Sequence, residues 1–311
     1  MIAGRLLPAL LILLGGCAGI STERGTLPDD VKSVEIEEVP FYPQERFQCG
    51  PAALTTVLTY SGIAADIDDV VDKVFLPGRE GTIQAELLGA TRSAGRIPLL
   101  INGSLDALHA ELHAGRPVLV LQNLGVSWIP SWHYAVIVGL DTEHETVILR
   151  SGVDSRRVTP MRLFMRTWQR SNYWGFVALR PGELPEGADR LAYLKALTAF
   201  ENVNPADPDN LLAWDVAYRR WNSDPTILFG YANALDELHQ SSLAEAIYRE
   251  TIALGGHTVV ARNNLALLLA RTGRHEEALA EIDEAFESNT DPGIRPILLD
   301  SRRSILESLK D

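Results

Sequence analysis

The chain has 311 residues, 46% of them apolar and 22% charged, with a formal net charge of −13. That composition belongs to a folding chain of about two domains at roughly 100–200 residues each, and it excludes a disordered polymer. So acidic a balance also excludes sequence-independent nucleic-acid binding, which needs a basic face; no nucleic-acid partner is expected.

The first sixteen residues read as a targeting segment, set apart from the fold. Arg5 supplies one positive charge, "LLPALLILL" is an apolar run of the right length, and "LGGC" closes it at Cys17. After it no run of twenty apolar residues appears, so no spanning helix is expected. Leu-Gly-Gly-Cys resembles the bacterial lipobox, which implies that Cys17 is acylated and becomes the new N-terminus. A plain secretory signal cut nearby is the alternative. With Ala18 rather than Asp after the cysteine, the resemblance implies a lipid anchor in the outer membrane of the cell envelope, facing the periplasm.

Residues 17–34 are polar and rich in turn formers, a tether. From 35 to 182 the pattern is mixed. "ALTTVLTYSG", "TIQAELLGATRSAG" and "SLDALHAELHAG" predict helices, each closing on a glycine. Four strands follow in "PVLVLQ", "WHYAVIVGL", "ETVILRS" and "YWGFVAL", rich in β-branched and aromatic residues. Helices first and strands afterwards predict an α+β domain with an antiparallel sheet.

"RPGELPEGADR" (180–190) reads as a linker, and residues 183–311 as an all-α domain. Ala234, Ala246 and Ala253 recur as Ala266, Ala278 and Ala285, an offset of 32 with internal spacings of 12 and 7. Those spacings match the small-residue positions of tetratricopeptide repeats, whose usual period is 34, so one turn is expected to be shortened. "LAYLKALTAFENV" with "LLAWDVAYRRW" resembles a degenerate first repeat, and "GIRPILLDSRRSILESL" a closing helix. Such an array would bind a protein partner in its concave groove.

Two cysteines occur, and lipidation of Cys17 would leave Cys49 without a disulfide partner. Cys49 stands in "PQERFQCGPAAL", where Gly50 would let the backbone turn sharply and Pro51 suits the first turn of a helix. A helix N-terminus lowers a thiol's pKa, so a thiolate nucleophile is expected there. Gln44, five residues upstream, is the candidate oxyanion donor, with Gln48 the weaker one. Among seven histidines, His133 opens a β-branched run that would hold it rigidly as the base. His109 and His113 share a helix face at zinc-ligand spacing, but Glu111 is off-register for the metalloprotease pattern and no third ligand is evident. A solvated face is expected there, with no metal or cofactor. His144, His239, His257 and His275 fall at turn or repeat positions expected on the surface.

"PQERFQCGPAALTTVL", followed about eighty residues on by "WHYAVIVG", resembles the papain-like bacteriocin-processing peptidases that cut after double-glycine leaders. The likeness is greatest to stand-alone, lipobox-bearing relatives with tetratricopeptide repeats. It implies a papain-like cysteine peptidase domain over 35–182, with Cys49 as nucleophile, His133 as general base and then acid, and Gln44 as oxyanion donor. Two departures stand out. The glutamine is usually six residues before the cysteine, and the family's third member is an Asp at the end of the next strand. Here "VILRSG" puts Ser151 in that slot. Asp154 could swing into the role, and Asp141 is less well placed.

The expected function is an envelope-anchored cysteine peptidase acting on a peptide or protein substrate. The alternatives are a peptide-binding adaptor of weak or no activity, or an acyl transferase on the same Cys-His pair. The double-glycine preference is not carried over, since this chain has neither the membrane domain nor the ATPase that delivers such leaders.

Overall fold

The computed structural model describes residues 31–43, 48–79, 81–205 and 207–309. Cys17, the whole targeting segment and Gln44 lie outside them. In chain order the first part runs β1 (Val34–Glu35), α1 (Cys49–Tyr60), α2 (Ile67–Val74), α3 (Gln84–Ser93), β2 (Ile97–Leu100), α4 (Leu105–His113), β3 (Val118–Asn123), β4 (Trp132–Asp141), β5 (Thr146–Ser151), β6 (Asp154–Pro160), α5 (Met161–Gln169) and β7 (Gly175–Leu179). A helical part follows: α6 (Arg190–Glu201), α7 (Asp209–Arg220), α8 (Pro225–Glu237), α9 (Ser241–Ala253), α10 (Thr258–Arg271), α11 (His275–Ser288) and α12 (Arg295–Ser308). No helix among the described residues is long and apolar enough to cross a membrane.

Seven strands form one antiparallel sheet in the order β2-β7-β3-β4-β5-β6, with β1 paired to β4. The four expected strands are β3, β4, β5 and β7. Three were missed, and each escapes for a reason. β1 is two residues long, β2 is a four-residue apolar run broken by Pro98, and β6 is an exposed strand of polar residues that carries no alternation. β2 also precedes α4, so the order is not simply helices and then strands.

The three expected helices end as their glycines require. Gly62, Gly95 and Gly115 have φ of 93°, 74° and 74°. In each case the next residue's N–H returns to a carbonyl in the last turn: Ile63 to Leu58, Arg96 to Thr91, and Arg116 to Glu111. The helix α1 is buried from Gly50 to Leu58. Its two hydroxyls survive there because Thr55 donates to the Pro51 carbonyl and Thr56 to that of Ala52, each at 2.9 Å. Leu54, Val57 and Leu58 of α1, Phe164 and Trp168 of α5, and Val118–Leu121 of β3 join one buried cluster. That cluster continues through Tyr193, Leu197 and Phe200 of α6 and Trp214 of α7.

The helical repeat is real, but its period differs from the expected one. The buried residues of α8 and α10 pair as Ile227 with Ala261, Ala232 with Ala266 and Leu235 with Leu269. Those of α9 and α11 pair as Ala244 with Ala278, Tyr248 with Ile282 and Thr251 with Ala285. Every pair is offset by 34. The turns agree: His239 (φ 57°) matches Gly273 (φ 81°), and Gln240 N–H bonds Leu235 as Arg274 N–H bonds Leu269. Ala246 and Ala253, two members of the 32-residue series, are exposed. Thr251 stands where the second copy has Ala285, which hid the true register, and no turn is shortened.

Candidate functional site

Cys49 is the first residue of α1. Its N-cap, Gln48, makes no side-chain capping bond, which leaves the first-turn N–H groups without a side-chain acceptor. The N–H groups of Tyr134, Gly50 and Cys49 itself lie near the sulfur and favour its ionised form. Tyr134 follows His133 in β4, so the sulfur lies at the strand position next to the histidine.

Gly50 serves a purpose other than the expected one. Its φ is not in the left-handed region. Instead, a Cβ there would lie 2.6 Å from Thr82 Cβ and 2.7 Å from its Oγ1. Thr82 presses on the backbone beside the thiol, and its carbonyl accepts the Tyr134 hydroxyl at 3.3 Å. Gly50→Ala is expected to destabilise the fold by about 1–3 kcal/mol through overpacking and to lower the alkylation rate of Cys49. Denaturant melts and timed iodoacetamide labelling would measure both effects.

His133 and Ser151 are brought together: imidazole Nε2 lies 2.8 Å from Ser151 Oγ. A register shift between Leu149 and Ser151 re-aims the end of β5, and Ser151 is only 3% exposed. With Nε2 engaged there, Nδ1 is the other nitrogen of the ring. Asp154 pairs across from Ser151 at the start of β6 and is exposed; the imidazole bond goes to the serine instead. Asp141 is turned to other work at the far end of β4, accepting from His144 Nδ1 at 2.9 Å.

The electrostatics overturn the expected resting thiolate. Burial pushes the Cys49 thiol up, against the three N–H groups that pull it down. Burial, and then the charge of Arg157, lowers His133 to about 4. Near neutral pH the resting groups are therefore a thiol and a neutral imidazole.

His133 and Ser151 line a pocket of about 220 Å³ with Gln122, Arg157, Thr159 and Thr167, walled elsewhere by leucines. Gln122 Nε2 donates to Thr167 Oγ1 at 2.7 Å, tying β3 to α5. A larger cleft, about 310 Å³, lies at the other end of α1 and contains none of these residues. The β3–β4 loop stands beside the site as a braced finger. Asn123 Oδ1 accepts from Gly125 and Ser131 N–H, Val126 and Ile129 bond each other at 3.1 Å, and Trp128 and Ile129 are 80% and 69% exposed.

Tyr134, Thr82, Gln122 and Arg157 were not foreseen. Only Tyr134 had a signal, since strand alternation puts it on the face opposite His133. The His109–His113 face is only partly solvated: His109 Nε2 meets the Lys32 carbonyl at 2.9 Å, while His113 is exposed.

Residues 36–175 match the Peptidase_C39 like family. The antiparallel sheet with its helices fits a C39-like peptidase domain, and Cys49, His133 and Ser151 all fall in the matched region. A solved structure described as a C39-like peptidase from Bacillus anthracis is 18% identical, with a TM-score of 0.41 over 48% of this chain and 98% of its own. None of the curated proteins matches the chain. At a general level, the C39-like match supports cysteine peptidase chemistry.

Proposed function

We propose that the chain is a cysteine peptidase anchored in the cell envelope through lipidated Cys17, in the outer membrane and facing the periplasm. The observation that carries the reading is a partly buried thiol at a helix start, one strand residue from an imidazole fixed by a serine. On substrate binding, the Cys49 proton passes to His133 Nδ1 and the sulfur attacks the peptide carbonyl. The Cys49 N–H and Gln44 receive the oxyanion. The C–N bond breaks, His133 returns the proton to the leaving amine, and water then hydrolyses the thioester.

Ser151 fixes the tautomer by accepting from Nε2–H, the work an uncharged amide does in papain-type enzymes. The exposed finger at Trp128 and Ile129 gives an apolar rim for the substrate chain. The 34-residue helical hairpins are read as tetratricopeptide repeats that hold the substrate protein or a partner.

The neutral resting pair favours a second reading, a peptide-binding adaptor, and electrophile labelling separates the two. Alkylation of Cys49 at neutral pH favours the enzyme, and no labelling of a folded chain favours the adaptor. The decisive experiment is envelope proteomics of wild type against Cys49→Ala. New N-termini that vanish in the variant are expected; identical N-termini would end the peptidase reading.

A further inference from the structure

The pocket beside the imidazole holds a cation and, among the described residues, no anion. Arg157 lines it, while its neighbour Arg156 is taken by Glu35 at 2.8 Å. Among the described residues Arg157 enters no ion pair. Among the described residues no carboxylate lines the pocket, and Cys49 is not part of its wall. Its volume suits one side chain or one chain end rather than a folded segment. His133 and Ser151 both line this space, with Ser151 Oγ 2.8 Å from Nε2.

We propose that the substrate supplies a carboxylate to this site: a peptide carboxylate pairs with Arg157 and accepts a hydrogen bond from the Ser151 hydroxyl. This rests on the peptidase reading and names its substrate class. Serine can serve as the relay because its oxygen accepts from Nε2–H while its own proton is donated onward. The proton balance is simple. Cys49 S–H gives its proton to Nδ1, Nε2–H stays on the ring pointing at Ser151, and the resulting imidazolium faces an anion.

Burial and the Arg157 charge work against that transfer. Among the described residues the charged group facing His133 in this pocket is Arg157 from β6; β3 and α5 bring Gln122, Leu163 and Thr167, which are uncharged. Burial and Arg157 together keep the ring neutral. A bound carboxylate cancels the arginine and adds the opposite charge, so a substrate of the right class switches on the nucleophile it needs.

The test uses the full chain and fluorogenic peptides in matched pairs, Glu against Gln and Asp against Asn at each position, with the C-terminus free or amidated. One pair is expected to favour its carboxylate member by roughly 10- to 100-fold in kcat/KM, the effect of one to two pKa units. Whether that pair differs at a side chain or at the chain end identifies the source of the anion. Arg157→Gln should erase the preference, and Arg157→Lys should keep much of it. Equal rates for both members at every position, or a preference that survives Arg157→Gln, overturns the proposal.

A second arm measures iodoacetamide alkylation of Cys49 with and without an acidic peptide whose scissile bond is reduced. Acceleration is expected in wild type and not in Arg157→Gln. Were no peptide cut, hydrolysis would be refuted, yet this arm would still decide the carboxylate question: absence of acceleration refutes it.

Discussion

In Cys49→Ala, peptide hydrolysis is expected to fall to background, and in His133→Gln kcat is expected to drop by roughly 10²- to 10⁴-fold. The two losses differ in kind. Without the sulfur no thioester forms, so nothing remains to be slowed. Without the imidazole the thiol stays protonated, because its burial already opposes ionisation, and the leaving amine has no acid. Glutamine keeps a polar group opposite Ser151 Oγ, which limits the structural cost. Rates per folded molecule, with folding checked by denaturant melts, separate the roles. A His133→Gln chain that melts early but turns over normally would make His133 a strut, and turnover in Cys49→Ala would remove the thioester altogether.

Acidification should cost stability, and His133 should be the main cause. Its folded-state pKa of about 4 lies below the ordinary 6.5, so between those values the unfolded chain binds the proton that the native chain refuses. Stability therefore rises with pH across that window. The contribution is complete above 6.5 and is lost as pH falls through 4, at about 3 kcal/mol for a shift near 2.5 units. Urea denaturation from pH 7.5 to 4 should show wild type losing about that much more than His133→Gln. Parallel curves for the two would mean that burial does not hold the ring neutral.

Much of this site was legible because its parts are local. A cysteine before Gly-Pro and a helical run marks a helix start, and a histidine opening "WHYAVIVG" marks a rigid strand. Ser151 was legible too, since it ends the next strand and the pairing of β4 with β5 brings it to the ring. What stayed hidden is the product of long-range packing. Nothing local in "DSRRVTP" says that this polar stretch is a strand or that Arg157 will reach the pocket wall. Gly50 was read as a turn, whereas Thr82 crowds it from more than thirty residues away. The thiolate was expected from the helix N-terminus alone, and burial, which no short motif reports, outweighs it. The repeat register failed for a smaller reason: Thr251 occupies a small-residue position, and alanines elsewhere formed a false series.

Tyr193, Leu197, Phe200 and Trp214 are sealed into the same interior as the sheet, so the head and the first hairpin of the tail cannot hinge freely on the linker between them. On the function proposed above, a chain held by the later hairpins would meet the sulfur at a fixed bearing, and reach along the tail would act as a ruler for where it is cut.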